Sequence, residues 1–265
     1  MSVLRGACRL CAAVLPRKRG KKCALRNSAG GRNKKLRCFV ALMRLFSSLA
    51  RFPAMIALIV TTVIASVLAF VALLAYPASI SYFALQPSAI LHGQNLWTLF
   101  THMLVHGSIL HLFVNMFVLF SLGSLCERII GRKRFFWLYI LAGVFAGILA
   151  ALSAGLAGHG FWARIFGSPD DYMVGASGAI FALAGLLMVL LPRLRFSIIF
   201  LPFFSLPAYV MVPIVLVLTW VLSFAAGWHV GNVAHFGGFI VGLIYGYYLR
   251  LRYRRKIMML ERYFR

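Results

Sequence analysis

The chain has 265 residues, 62% of them hydrophobic, and carries 28 Lys and Arg against four acids, for a net charge of +24. Soluble domains are only about half apolar, so this composition lacks the polar surface to cover a water-facing globule. The charge suits nucleic acid in amount but not in placement. No Lys, Arg, Asp or Glu lies between Phe52 and Cys126, and the basic residues gather at the two ends and in short connections. That arrangement fits the anionic inner surface of a membrane: lipids are the expected partner and nucleic acid is not.

Residues 1–51 hold 14 Lys or Arg and no acid. They read as a basic, disordered cytoplasmic tail without a packed core. An organelle transit peptide is the alternative, since such peptides also lack acids. The tail carries Cys8, Cys11, Cys23 and Cys38, and the fifth cysteine is Cys126. Cys8 and Cys11 form one CxxC pair with no second pair and no neighbouring His, whereas a zinc site needs four spaced ligands. Free thiols in a reducing compartment are expected, with no metal and no cofactor.

A membrane span needs roughly 20 apolar residues. Six candidates follow in chain order: 54–76, 109–126, 135–156, 173–191, 207–226 and 229–249. The expected fold class is therefore an all-α polytopic membrane protein, with a six-helix membrane domain at 52–250 and a basic cytoplasmic C-terminus at 251–265. The loop from Pro77 to Ser108 is long and itself apolar. Irregular backbone is not tolerated in lipid, so it is expected to form short helices in the outer interface, with Trp97 as an anchor. The uncharged run from Phe196 to Ala226 contains Pro202, Pro207 and Pro213. It reads as an interfacial segment followed by a span with a bend at Pro213.

Counting Lys and Arg through the successive connections gives 14, none, four, one, two, none and seven. The alternation of high and low places both termini in the cytoplasm, with odd spans running outward and even spans inward. A plasma-membrane location is expected.

Spans two, four and six all start on the outer side, and each carries unusual polar residues near that start. His111 and Asn115 stand at i, i+4 on one helix face. Ser177 lies near the start of span four, and His235 lies about six residues into span six, roughly 9 Å deep at 1.5 Å per residue. Taken singly, each has a bland reading: a small packing serine, or a His or Asn bonding between helices. Those readings do not predict a shared depth on three helices, and polar groups inside a bilayer are costly. Ala234, Gly238, Gly242 and Gly246 form a small-residue face, and Gly178, Ala182 and Gly185 offer another. Spans four and six are thus expected to pack closely enough for the Ser177 hydroxyl to meet His235.

A serine hydroxyl needs a base to become a nucleophile, and His suits that task near neutral pH. The developing oxyanion needs donors: the Asn115 amide, the His111 ring N–H and the Ser177 backbone N–H. Glu127 lies 16 residues beyond His111, about 24 Å along the helix, too far to orient His235. Asp170 and Asp171 sit in the loop before span four. A Ser–His dyad is the expected arrangement.

"GASG", "HLFVN" and "AHFGGFIVG" resemble the GxSG, HxxxN and AHxxGxxxG motifs of rhomboid intramembrane serine proteases, over roughly Asn95 to Leu249. "FTHMLVHGSILH" adds His102 and His106 where members of that family often carry histidines. The resemblance implies a six-helix core that hydrolyses peptide bonds of membrane-embedded proteins. It matches Ser177 to the nucleophile, His235 to the general base, His111 and Asn115 to the oxyanion-hole side chains, and Gly175 to the glycine of the loop beside the nucleophile. Gly178, Gly238, Gly242, His106 and Phe181 fall in supporting positions. The resemblance also makes Glu127 and Arg134, in "ERIIGRKR", structural. Phe181 replaces a Tyr that some relatives pack on the catalytic His, and Thr98 follows Trp97 where many have Arg. The implied substrates are single-span proteins whose helix is unstable near its outer end, reached by water through a cavity lined by His102, His106, His111 and Asn115. A non-catalytic rhomboid-like chaperone and a small transporter are the competing classes.

Overall fold

The computed structural model describes residues 53–198, 201–226 and 231–263. The expectations for the tail and its four cysteines fall outside them. The first long helix, α1, spans Pro53–Ala75. Short helical turns between Pro77 and Leu104 lead to α2, Ile109–Ile130, and α3, Arg132–Ala157. Helix α4 is Ser177–Leu190. Strands β1, Arg195–Ile198, and β2, Leu201–Pro207, pair as an antiparallel hairpin. Helices α5, Ala208–Ala226, α6, Asn232–Arg252, and α7, Arg254–Tyr263, complete the chain.

Among the described residues four helices, α1, α2, α3 and α5, are long and apolar enough to cross a membrane. Their outer faces leave large apolar side chains uncovered: Ile64, Leu68 and Leu74 on α1, Phe113 on α2, Leu156 on α3 and Val217 on α5. In water such a belt is unfavourable, whereas in lipid it is the natural surface. The protein is an all-α polytopic membrane protein, with the small hairpin as an addition.

Helices α4 and α6 are packed inside the bundle by their small residues. A Cβ at Gly238 would collide with the carbonyl oxygen of Gly178, and one at Gly242 with that of Ala182. A Cβ at Gly185 would sit 2.6 Å from the Phe239 carbonyl oxygen. The two backbones therefore touch along the faces expected from the sequence, and any side chain at these positions would push the helices apart.

Three elements differ from expectation. Residues 173–176 are not helical: Met173 pairs in a β-bridge with Leu85, and α4 has only 14 residues, about 21 Å. That is shorter than the roughly 30 Å hydrocarbon layer, so an extended segment supplies the rest of the path to Ser177. Helix α6 starts at Asn232, three residues before His235, and not near 229. The run after span four folds as the β1–β2 hairpin, where Arg195 Nη2 donates to the Ser205 carbonyl at 2.6 Å. The aromatic and β-branched residues around Phe196 favour strand, a conformation the reading as an interfacial segment had not specified. Pro213 lies inside α5.

Glu127 joins α2 to α1. Its carboxylate accepts the backbone N–H groups of Ala54 at 3.2 Å and Met55 at 2.8 Å. These are orphan donors of the first turn of α1, and a negative charge there also complements the helix dipole. Arg134 at the start of α3 donates to the Tyr253 hydroxyl at 3.1 Å. Both residues serve the scaffold, as the resemblance implied.

Candidate active site

Ser177 is the first residue of α4 and is half-buried. The extended approach to it is held by the loop between α1 and α2 at successive residues. Leu85 and Met173 exchange two backbone hydrogen bonds, at 3.0 and 2.8 Å. Gly175 N–H donates to the His102 carbonyl at 2.8 Å, and Ala176 N–H donates to His106 Nε2 at 3.4 Å. The apolar loop between α1 and α2, whose short helical turns match the expectation, is thus the clamp on this segment. Trp97 anchors it through Nε1–H to the Tyr82 carbonyl at 3.1 Å. Thr98 contributes its own bond, from Oγ1 to the Asn95 carbonyl at 2.7 Å.

His235, buried in the first turn of α6, places Nε2 2.7 Å from Ser177 Oγ. The Phe181 ring, one turn after Ser177, stacks on the imidazole with centroids 4.7 Å apart and planes at 29°. His235 Nδ1 is buried and has no hydrogen-bond partner. Asp171 instead accepts from Ser168 N–H at 3.2 Å, closing its own turn, and Asp170 is exposed. Among the described residues no carboxylate bonds to the Ser177–His235 pair. The stacked Phe181 ring and burial hold the imidazole in place.

His111 lies against the same loop. A Cβ on Gly175 would sit 2.8 Å from His111 Cε1 and 3.8 Å from Ser177 Oγ. Gly175 has φ +126°, a conformation that side-chain-bearing residues rarely adopt. Only glycine meets both demands. Asn115, buried one turn along α2, donates from Nδ2 to the His111 carbonyl at 3.0 Å. Its second amide hydrogen is free of that bond. As the first residue of its helix, Ser177 also presents a backbone N–H without an intrahelical acceptor.

His102 and His106 are placed differently from expectation. Both are buried and bonded within the protein rather than facing a water-filled cavity. His102 Nδ1–H donates to the Thr98 carbonyl at 2.8 Å, and its ring lies against Gly147 of α3. His106 crosses the His111 ring edge to face, with centroids 5.0 Å apart. Leu85 was not legible as a positioning residue, because backbone pairing leaves no side-chain signature.

The family model of the Rhomboid domain matches residues 93–252, a range that contains Ser177, His235, His111, Asn115 and Gly175. The chain belongs to the rhomboid family. It is 30% identical to RHOMBOID-like protein 4 of Arabidopsis thaliana over 62% of this chain and 36% of that one. With Rhomboid-like protein 15 of the same plant it shares 33% over 37% and 24%. With the human Presenilin-associated rhomboid-like protein, mitochondrial, it shares 29% over 63% and 40%. The match spans less than half the length of each of these relatives.

Proposed function

We propose that this rhomboid protein is an intramembrane serine endopeptidase, with Ser177 as nucleophile and His235 as general base. The 2.7 Å contact between Ser177 Oγ and His235 Nε2, on two helices brought together by glycines, carries this reading. His235 Nε2 takes the hydroxyl proton as Oγ bonds to the scissile carbonyl carbon. The carbonyl oxygen becomes an oxyanion, and the Ser177 N–H, His111 ring N–H and Asn115 amide supply the donors. His235 then gives its proton to the leaving amine as the C–N bond breaks. A water molecule, deprotonated by the same imidazole, attacks the acyl-enzyme ester. The acid product leaves, and Ser177 regains its proton from His235. Because Nδ1 keeps its hydrogen throughout, the dyad cycles without a carboxylate.

The substrates are single-span membrane proteins, cut near the outer face where the helix opens, because a helical backbone hides its carbonyls. Lipid covers the exposed apolar belt. We assign the protein to the plasma membrane with both termini cytoplasmic and the site open to the outer side. The alternation of basic residues supports that orientation. A non-catalytic rhomboid-like role leaves the Ser177–His235 contact without purpose.

The test is cleavage of a model single-span protein in liposomes. Wild type is expected to produce one defined cut, and Ser177→Ala and His235→Ala none. Equal cleavage by wild type and Ser177→Ala would overturn the proposal.

A further inference from the structure

The contact between Ala176 N–H and His106 Nε2 has a second half in α1. Ser66 is fully buried in that helix. Its Oγ lies 3.1 Å from His106 Nδ1 and 3.0 Å from the Leu104 carbonyl oxygen. The order of these bonds is forced. An amide can only donate, so Ala176 N–H requires a lone pair on His106 Nε2. The ring proton of the neutral imidazole is then on Nδ1. Nδ1–H needs an acceptor, which is Ser66 Oγ, and the Ser66 hydroxyl proton goes to Leu104 O. Each proton has one place.

The chain of bonds ends on the Gly175–Ala176 peptide, which lies between the Gly175 N–H bond to the His102 carbonyl and the Ile180 N–H bond to the Ala176 carbonyl. Gly175, at φ +126°, has no Cβ to resist rotation of the Gly175–Ala176 peptide. The next peptide, between Ala176 and Ser177, carries the backbone N–H assigned above to the oxyanion. We propose that Ser66 is a positioning residue for the Ser177 centre: by accepting Nδ1–H of His106 it keeps Nε2 unprotonated toward Ala176, and so fixes the peptide that aims the Ser177 N–H. In the other tautomer Nε2–H would face Ala176 N–H, donor against donor, and the loop would turn away. The role in turnover rests on the protease reading; the bond order does not.

The full chain in detergent tests both parts, with Ser66→Ala, Ser66→Thr and Ser66→Cys. The first readout is the ring 15N signature of His106, recorded in a Ser177→Ala background so that it needs no activity. A protonated Nδ1 and an unprotonated Nε2 are expected, with Ser66→Ala moving the proton toward Nε2 and Ser66→Thr restoring it. The second readout is turnover of a single-span substrate in the Ser177-bearing protein. Ser66→Ala is expected to lower kcat roughly tenfold, the scale of one lost hydrogen bond that leaves a buried donor unsatisfied. KM should stay within about twofold, and Ser66→Thr should recover kcat. Should the alanine variant not fold, Ser66→Cys, of similar size and weaker as an acceptor, is read in its place.

Unchanged His106 protonation in Ser66→Ala would overturn the proposal, whatever happens to kcat. So would a fall in kcat that Ser66→Thr does not recover. If wild type shows no Ser177-dependent turnover, the protease reading falls, and the 15N signature still decides the bond order.

Discussion

At the scale of single residues, the site depends on groups that cannot be exchanged for near neighbours. Asn115 is the only carboxamide beside His111 on its helix face, and in the proposed mechanism its second hydrogen is the donor offered to the oxyanion. Asn115→Ala is expected to lower kcat on the order of 10²-fold or more while leaving KM little changed; an unchanged kcat, measured on a single-span substrate, would remove it from the mechanism. Gly175→Ala should lose activity on a comparable scale, because the added methyl meets the His111 ring at 2.8 Å and the backbone is left-handed there. Near wild-type turnover of that variant would show that the loop can move without harm. Ser177, His235, His111 and Asn115 were legible in the sequence because each is a polar group in an uncharged span, where burial has a cost. Ser66 is also polar, and it is more deeply buried than any of them. Its role was not legible because its partner His106 lies in a loop whose path no periodicity reveals.

Elements carry the next level of the account. The small-residue faces of α4 and α6 were read correctly from four-residue steps, and the structure shows backbone against backbone at Gly238 and Gly242. Gly238→Val is expected to separate the two helices and cost both the folded yield and the Ser177–His235 contact. A stable Gly238→Val protein with full activity would contradict this packing. The start of α4 was misread by four residues, since "MVGA" is apolar in either state. What makes it extended is its pairing with Leu85, 88 residues earlier. The hairpin after α4 was missed for a related reason: short apolar runs do not separate strand from helix by pattern alone. Glu127, which the family resemblance made structural, caps α1. Glu127→Gln is expected to lower stability by about 1–2 kcal/mol, read as a lower thermal midpoint in detergent, with the Ser177 chemistry retained.

At the largest scale, the described residues from α1 onward form a helical bundle in which the loop between α1 and α2 holds the segment leading to Ser177. This makes stability sensitive to acid through two loop histidines. Burial holds His102 well below its usual 6.5, at about 4. Burial, with the His111 ring adding to it, holds His106 at about 3. The unfolded chain takes up these protons near pH 6.5 and the folded protein only at much lower pH. Stability is therefore full above about pH 6.5 and falls as the pH drops toward 3. Thermal midpoints at pH 7.5 and pH 5 should show the lower value at pH 5; equal midpoints would mean that the two rings are not held neutral by the fold. The long apolar helices were legible from composition because the bilayer imposes a length on every segment that crosses it. The clamp was not, because it is made of backbone bonds between distant stretches.

If Ser177 is a nucleophile activated by His235, a fluorophosphonate should mark it, and peptide mapping by mass spectrometry of the treated, purified chain reads this out. One phosphonylated residue, Ser177, is expected, with no adduct in His235→Ala. Wild-type protein left unmodified, or an adduct on another residue that persists in Ser177→Ala, would contradict it.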